Sequence, residues 1–427
     1  MVIGMDELVL AGGKPLYGTV KIKGAKNAAL PILAACLLTR EPVVLAEVPD
    51  LEDVRIMLAL LKHLGIQLIW LGPGRLKIEA KEYLGWEAPY DLVRKMRASF
   101  LVLGPLLARN GRSRVSLPGG CAIGTRPIDL HLKGFKALGA QISMGLGYIE
   151  AKAAQLRGAS FCLDYPSVGA TENLIMAACL AQGRTVLSNC AREPEVVDLA
   201  DFLNFLGAKV NGAGTAQIEI TGVEGLGGSN CYTIIPDRIE AGTYLAAVAA
   251  AGGEAALLNV RAEHLTPVIA KLQEAGAEIY SDGSKLRITR GKPLESVDLT
   301  TLPYPGFPTD LQPIFAALNS RGRGVAIIRE TVFENRFRYV NELLRMGANI
   351  KVQGNVALVY GVPELTGARV VAPDLRGGAA LVVAGLAAAG ETQIDCLHHL
   401  DRGYSGLAAN LHSLGAVVMR RPVGEDD

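Results

Sequence analysis

The chain has 427 residues, of which 50% are hydrophobic, 20% are charged and 5% are aromatic, and its formal net charge is +1. This length predicts two or three domains, and the near-neutral charge gives no argument for a nucleic-acid or membrane partner. Seven cysteines without a CxxC pair and six histidines without an HExxH spacing favour neither a disulfide framework nor a metal site. Since no secretory signal or bilayer-length apolar run is evident, we expect a cytoplasmic protein.

A short signature recurs six times: an amphipathic helical run, a glycine, a small or branched apolar residue, any residue, and then Val, Ile or Leu. The glycines are Gly65, Gly139, Gly207, Gly276, Gly347 and Gly415, at intervals of 68 to 74 residues. Each stands where a left-handed residue would end a helix, and the apolar alternation after it predicts a strand. The spacing predicts one unit of about 70 residues used six times, in two groups of three.

Each unit also contains a second helix that is rich in small residues and apolar almost all round. These helices are predicted at 27–38, 98–108, 170–181, 241–251, 311–318 and 379–389. A helix without a polar face is buried. Strands such as 41–46 and 185–189 lie between the two helices, and two short strands follow the second helix. The unit is therefore predicted to be βαβαββ, and three units would form an α/β domain with buried helices at its centre and sheets around them.

Residues capable of chemistry collect just before the two helix types. They are Lys26, Arg97, Ser167, Asp237, Arg238, Asp310, Asp374 and Arg376 at the buried helices, and Arg126, Glu193, Glu195, Glu334, Arg336, Asp401 and Arg402 at the outer ones. Helix N-termini favour anions. Taken singly, each residue reads as an ordinary cap or a solvated charge. The recurrence of Arg or Lys at equivalent ends favours a shared anion site instead.

Cys121 and Asp310 each allow two interpretations when only the surrounding sequence is considered. Cys121 lies in a glycine-rich segment close to an arginine, a setting that tunes thiol reactivity, and could equally be a buried residue. Asp310, after Pro-Thr at a helix start, is more typical of a helix cap. Cys36 and Cys179 lie inside alanine-rich helices and are predicted to be small core residues.

The segment 117–131, LPGGCAIGTRPIDLH, resembles the active-site loop of the UDP-N-acetylglucosamine 1-carboxyvinyltransferase family of enolpyruvyl transferases. Matching segments cover the whole chain: 26–27, 96–99, 167–171, 192–195, 236–240, 307–310, 330–337, 374–376 and 401–404. The resemblance implies a two-domain inside-out α/β barrel with six βαβαββ repeats, three per domain. It implies one domain at 25–235 carrying the Cys121 loop, a second formed by 1–24 plus 236–427, and an active site in the cleft between them.

The resemblance also implies the reaction. The enolpyruvyl group of phosphoenolpyruvate would pass to the 3′-hydroxyl of UDP-N-acetylglucosamine with release of phosphate, by addition and elimination with domain closure. In this family the reaction is the first committed step of peptidoglycan synthesis, and so serves cell-wall formation, cell shape and cell division. The family's inhibitor fosfomycin alkylates the loop thiol. The expected partners are the two small substrates; no metal or organic cofactor is implied, and a monomer is expected although the oligomeric state stays open.

The site residues are implied by the same resemblance. Cys121 would donate a proton, Asp310 would act as the base, and Lys26 and Arg402 would complete the catalytic set. Phosphoenolpyruvate would be bound by Lys26, Asn27, Arg126, Arg336, Arg376 and Arg402. The nucleotide sugar would be bound by Asn27, Arg97, Arg126, Pro127, Ile128, Asp129, Leu130, Ser167, Val168, Gly169, Asp310 and Val332. Arginine forks suit carboxylate and phosphate groups, and such preorganised charges stabilise charged intermediates.

Two alternatives stay open. 5-Enolpyruvylshikimate-3-phosphate synthase shares the implied fold and donor, but it carries a GNAGT-type segment that is absent here and lacks the PGGC loop. A non-catalytic relative that binds the nucleotide sugar would have lost part of the set Lys26, Cys121, Asp310 and Arg402. Tyr165 stands where some members carry Lys, and Tyr304 where His is frequent, which leaves the details of the uridine contacts open.

Overall fold

The computed structural model of the chain describes residues 6–80, 84–117 and 128–422. Within these ranges the chain divides into two compact units. The central unit contains the described part of 24–235, and the flanking unit contains the described residues up to 23 together with those from 236 onward.

Each unit contains three four-stranded sheets of one common plan, in which the first two strands are parallel and the next two pairings are antiparallel. In the central unit the sheets, in spatial order, are Ser229–Thr233, Val43–Ala46, Arg75–Ala80 and Ile66–Gly72; Glu87–Ala88, Arg112–Ser116, Tyr148–Lys152 and Gln141–Gly145; and Ser160–Cys162, Arg184–Ser188, Gln217–Thr221 and Lys209–Asn211. In the flanking unit they are Leu16–Lys21, Gly253–Leu258, Lys285–Arg290 and Glu278–Asp282; Leu299–Thr300, Val325–Arg329, Val356–Tyr360 and Asn349–Gln353; and Arg369–Val371, Glu391–Asp395, Asp6–Ala11 and Val417–Pro422.

The N-terminal strand completes the last sheet of the chain. Asp6–Ala11 lies between Glu391–Asp395 and Val417–Pro422, with Leu8 opposite both Ile394 and Arg420. The strand Ser229–Thr233 in turn supplies the parallel edge of the sheet built from the first repeat. Each unit is therefore closed by a strand that is distant in sequence from the other strands of its sheet.

The apolar helices form the centre of each unit, as their composition predicts. They are Lys26–Ala35, Leu103–Asn110 and Val168–Ala178 in the central unit, and Arg238–Ala251, Gln312–Asn319 and Leu375–Ala387 in the flanking unit. Within each unit these helices contact one another and are almost entirely buried. Alanine and glycine permit this close approach because their small side chains leave the backbones free to come near.

The predicted boundaries of several buried helices were too simple. The 3₁₀ segments Cys36–Leu38, Arg97–Val102 and Thr309–Leu311 extend or precede the α-helices. At the last of these, Pro313 stands in the first turn of Gln312–Asn319. Proline fits that position because its missing N–H would have no partner inside the helix.

The amphipathic helices are Glu52–His63, Asp129–Ala137, Pro194–Phe205, Thr266–Glu274, Val340–Arg345 and Leu407–Ser413. Each ends two residues before a signature glycine, and all six glycines have φ between 79° and 101°. The predicted left-handed helix ends are thus confirmed at every repeat. The remaining helical segments are Tyr90–Val93 and the 3₁₀ turns Ala262–Leu265, Arg336–Tyr339 and Leu397–Arg402. Of the helices that the structure describes, none has the length and apolar character needed to cross a membrane.

Candidate functional site

Asp310, Arg336 and Arg376 form one cluster in the flanking unit, called the Asp310 cluster below. Arg336 Nη2 donates to Asp310 Oδ1 at 2.7 Å, and Arg376 Nη2 donates to Asp310 Oδ2 at 3.0 Å. Both arginines are buried, whereas a quarter of the Asp310 side chain is exposed. Three residues predicted separately for the site therefore meet, with the carboxylate at the accessible side.

Each arginine of the cluster is fixed by further contacts. Arg336 donates through Nε and Nη2 to the carbonyl oxygen of Thr309, at 3.2 and 2.9 Å. Arg376 donates through Nη1 to the hydroxyl of Tyr404 at 3.2 Å. Burial is the largest single influence on the pKa of Arg376 and acts to lower it. The Asp310 carboxylate, together with Tyr404 and Asp237, outweighs burial and raises the pKa, so the guanidinium stays charged.

The Tyr404 hydroxyl continues this network to the helix Arg238–Ala251. It lies 2.8 Å from the Thr243 hydroxyl, which donates to the carbonyl oxygen of Ile239 at 2.8 Å. Since the single Thr243 proton is used there, Tyr404 donates to Thr243 and accepts from Arg376. Burial raises the pKa of Tyr404, although Arg376 acts in the opposite direction. The chain of donors therefore has one orientation and points the guanidinium of Arg376 toward Asp310.

In the central unit, Lys26 forms a buried ion pair. It is the first residue of the helix Lys26–Ala35, and its Nζ lies 3.1 Å from Oδ2 of Asp53, in the first turn of the helix Glu52–His63. Both side chains are at least nine-tenths buried. A predicted anion ligand is thus held by an internal carboxylate that the sequence analysis did not single out.

A second polar group in the central unit surrounds His131. The side-chain amide of Asn173 donates to Phe100 O at 3.1 Å and lies 3.2 Å from His131 Nδ1. Because its second proton is directed at Nδ1, the imidazole proton belongs on Nε2. Burial, with the nearby charge of Arg97, lowers the pKa of His131 to about 3, so this imidazole is neutral. A Cβ atom on Gly169 would lie 3.5 Å from its ring, which puts the start of the helix Val168–Ala178 beside it.

Several residues at helix starts are caps, as the alternative interpretation held. Asp237 Oδ1 accepts from the backbone N–H groups of Ile239 and Glu240, at 2.8 and 3.0 Å. Asp374 caps Leu375–Ala387 in the same way, and Ser167 Oγ accepts from Ala170 N at 3.4 Å. Asp310 differs from them because both of its oxygens accept from guanidinium groups.

The other predicted ligands lie in both units. Asn27 is partly exposed in the first turn of its helix, and Ile128, Asp129 and Leu130 begin the helix Asp129–Ala137. Val332 follows the strand Val325–Arg329, and Arg402 ends the turn Leu397–Arg402. Burial has the largest effect on the pKa of His399 and lowers it, and the charges of His398 and Arg402 lower it further. Val168 lies in the first turn of its helix. The predicted residues Cys121, Arg126 and Pro127 lie outside the described residues.

Sequence reasoning missed the partners that hold these groups. Asp53 had a usable signal, because it lies on the same helix face as the buried Met57 and Leu60, where a carboxylate needs a partner. Tyr404 and Glu330 stood in matched segments without an assigned role. Their contacts join positions far apart in sequence, so no local pattern indicates them.

Chemically, the Asp310 cluster combines a partly accessible carboxylate with two buried cations. Such an arrangement can accept a proton and bind an anion at adjacent points. In residues 6–80, 84–117 and 128–422, no three His, Cys, Asp or Glu residues are grouped to hold a metal ion.

Comparison with known proteins gives one consistent family. A family model described as EPSP synthase (3-phosphoshikimate 1-carboxyvinyltransferase) matches residues 10–411. UDP-N-acetylglucosamine 1-carboxyvinyltransferase 2 of Carboxydothermus hydrogenoformans is 56% identical over 97% of this chain and 99% of its own length. UDP-N-acetylglucosamine 1-carboxyvinyltransferase 1 of Caldanaerobacter subterraneus is 54% identical over the same shares of the two chains.

Solved structures share the fold. The enolpyruvyl transferase NikO from Streptomyces tendae aligns with a TM-score of 0.89 at 27% identity, covering 98% of this chain and all of its own. An EPSP synthase from Acinetobacter baumannii aligns with a TM-score of 0.75 at 18% identity, again over 98% of this chain and all of its own.

Proposed function

This chain belongs to the EPSP synthase family of enolpyruvyl transferases, and on that premise we propose that it transfers the enolpyruvyl group of phosphoenolpyruvate to the 3′-hydroxyl of UDP-N-acetylglucosamine. Phosphate would be released, and the product would enter peptidoglycan synthesis. The observation that carries the proposal is the Asp310 cluster, in which a predicted base lies between two predicted anion ligands. Identity of 54% and 56% to relatives named for this reaction supports the choice of acceptor.

The proposed addition forms one C–O bond and moves two protons. Asp310 takes the proton of the 3′-hydroxyl while the hydroxyl oxygen attacks C2 of phosphoenolpyruvate. Cys121 delivers a proton to the methylene carbon. Elimination then removes a proton from that carbon and expels phosphate, which restores the double bond. Lys26, Arg126 and Arg402, with the arginines of the Asp310 cluster, offset the charge of the tetrahedral intermediate.

Under this proposal, the ion pairs of the Asp310 cluster control how strong a base Asp310 is. A carboxylate between two guanidinium groups is a poor proton acceptor, because both cations favour its charged form. When the phosphate and carboxylate of the donor attract the guanidinium groups, Asp310 becomes a stronger base. Binding of the donor would thereby activate the base next to the acceptor hydroxyl.

The test is phosphate release from phosphoenolpyruvate with UDP-N-acetylglucosamine as acceptor, compared with shikimate 3-phosphate. We expect phosphate release with UDP-N-acetylglucosamine as acceptor and none with shikimate 3-phosphate. Release only with shikimate 3-phosphate would identify the rival activity instead. Binding of the nucleotide sugar without turnover would identify a non-catalytic relative. Domain closure stays a prediction, which small-angle scattering with and without nucleotide sugar would test.

A further inference from the structure

Glu330 is a buried carboxylate that has no part in the proposed chemistry, although it contacts two loops that do. It is 2% exposed and directly follows the strand Val325–Arg329. Its backbone is fixed on both sides, since its N–H donates to Asn355 O at 2.9 Å and its carbonyl accepts from Asn355 Nδ2 at 3.0 Å. Burying a carboxylate is unfavourable unless hydrogen bonds replace the lost water, so the contacts of this side chain indicate what it does.

Oxygen Oε1 of Glu330 holds the loop that follows it. This oxygen accepts from the backbone N–H groups of Val332 at 2.8 Å and Phe333 at 3.1 Å. It also accepts from the Thr301 hydroxyl at 2.9 Å. That hydroxyl accepts in turn from the N–H of Thr331, which ties the loop to the neighbouring strand end. Oε1 thus fixes the backbone at Val332, a predicted contact of the nucleotide sugar.

Oxygen Oε2 contacts the other loop. It accepts from the Thr309 hydroxyl at 3.0 Å. Thr309 directly precedes Asp310. The carbonyl oxygen of Thr309 accepts two hydrogen bonds from the Arg336 guanidinium, which also donates to Asp310. A single residue, Thr309, therefore links the carboxylate of Glu330 to Asp310 and to Arg336. It does not link Glu330 to Arg376.

We propose that Glu330 is a positioning residue for the reaction: through Thr309 it sets the place of Asp310 and Arg336, and through Oε1 it sets the loop at Val332. The role rests on the proposed function, because it assumes that Asp310 is the base. The two oxygens serve different loops, so their contributions can be separated by mutation. A displacement of about 1 Å at a reacting group can lower the rate by about 10²-fold, which makes such positioning measurable.

Thr309→Val removes only the Oε2 contact. We expect kcat to fall by about 10-fold or more while KM for UDP-N-acetylglucosamine stays within about twofold, because the Val332 loop keeps its bonds. The acid-side inflection of the kcat/KM profile, which reports the free enzyme, should also rise, since a less fixed Arg336 stabilises the charged form of Asp310 less well. Thr309→Ser keeps the hydroxyl and should restore both values.

Variants of Glu330 test the same role from the other side. In Glu330→Gln the amide oxygen can replace Oε1, and the amide N–H can donate to the Thr309 hydroxyl, so we expect activity near that of the wild type. Glu330→Ala removes the hydrogen bonds of both carboxylate oxygens, and we expect a lower kcat together with a higher KM for the nucleotide sugar.

Thr39→Val in the central unit is the matched control. Thr39 is buried, and its hydroxyl donates to the carbonyls of Leu226 and Gly227, at 2.9 and 2.8 Å. Removing this hydroxyl is the same chemical change as Thr309→Val, but at a residue that is far from Glu330 in sequence and belongs to the other unit. It should lower Tm without altering kcat or the pH profile. The positioning role is refuted if Thr309→Val changes kcat no more than Thr39→Val does. A wild-type enzyme without turnover would instead refute the proposed function, and the positioning role with it.

Discussion

Glu240→Gln should make the protein more stable at alkaline pH, because Glu240 is a buried acid whose ionised form destabilises the fold. Glu240 lies in the first turn of Arg238–Ala251 and is 4% exposed. Its Oε2 accepts from the backbone N–H of Lys23 at 3.2 Å, and Asn410 Nδ2 lies 3.5 Å from its Oε1. The Tyr244 hydroxyl and the Asp237 carboxylate also face it.

Burial, followed by the negative charge of Asp237, raises the pKa of Glu240 from 4.5 to about 8. The bonds from Lys23 and Tyr244 and the Lys23 charge act in the opposite direction but are weaker. Between these two pH values the folded state holds a proton that the unfolded state has released. Stability is therefore lost as pH rises from about 4.5 to about 8, and at about 1.36 kcal/mol per pKa unit the whole loss is about 5 kcal/mol.

The amide of Gln has the shape of the protonated acid and does not titrate. At pH 5 the variant should be more stable than the wild type by less than about 1 kcal/mol, because the unfolded state has only begun to release its proton. At pH 9 the variant should be more stable by several kcal/mol, up to about 5 kcal/mol. Glu254→Gln is the matched control, since Glu254 lies in the same unit with a side chain that is 47% exposed and 3.7 Å from Arg287.

The assay is urea unfolding from pH 5 to pH 9, followed by circular dichroism. Tryptophan fluorescence is unsuitable alone because both tryptophans, Trp70 and Trp86, belong to the central unit. A difference between Glu240→Gln and the wild type that is the same at pH 5 and pH 9 would refute the reasoning. So would an equal pH dependence in Glu254→Gln.

Three further predictions concern the proposed site. Asp310→Ala should lower kcat by about 10²-fold or more, the usual contribution of a general base, with far less change in nucleotide-sugar affinity by calorimetry; near-normal turnover would contradict its role. Cys121→Asp should remain active with its working range moved to lower pH, because Asp titrates near ~3.9 and Cys near ~8.5, and Cys121→Ser should be almost inactive; a folded, ligand-binding but inactive Asp variant would show that proton donation is not the whole role. Asp53→Asn should cost about 3–5 kcal/mol in thermal unfolding by leaving Lys26 buried without its carboxylate partner, and the double variant Lys26→Met with Asp53→Leu should regain stability but not turnover. A double variant as unstable as Asp53→Asn would contradict that account.

Local features of the fold could be predicted from the sequence. The six signature glycines were predicted to end helices because a left-handed backbone is strained for residues with a Cβ, and all six have positive φ. The buried helices were predictable because their apolar surface covers every side. Cys36 and Cys179 are buried core residues as predicted, and burial raises the pKa of both thiols.

Pairings between distant segments were not predictable in this way. Nothing in Ser229–Thr233 itself indicates that it lies parallel to Val43–Ala46, because the partners of an edge strand depend on the chain's path and not on its local pattern. The site shows the same limit. The local pattern at Asp310 is typical of a helix cap, whereas its two oxygens accept from Arg336 and Arg376, which follow it by 26 and 66 residues.

These pairings also explain how the cations proposed to bind an anionic substrate are held in the unliganded protein. Lys26, Arg336 and Arg376 are each buried, and a buried cation without a partner would be strongly destabilising. Asp53 and Asp310 remove that penalty and fix the directions of the side chains. Under the proposed function the substrate anions must compete with these carboxylates, which lowers affinity for the ground state. Under the same proposal, release of the guanidinium groups from Asp310 makes this carboxylate the stronger base that the reaction requires. A carboxylate that first stabilises the unliganded fold would then remove the proton from the acceptor, and this would link the stability of the Asp310 cluster directly to its proposed catalytic role.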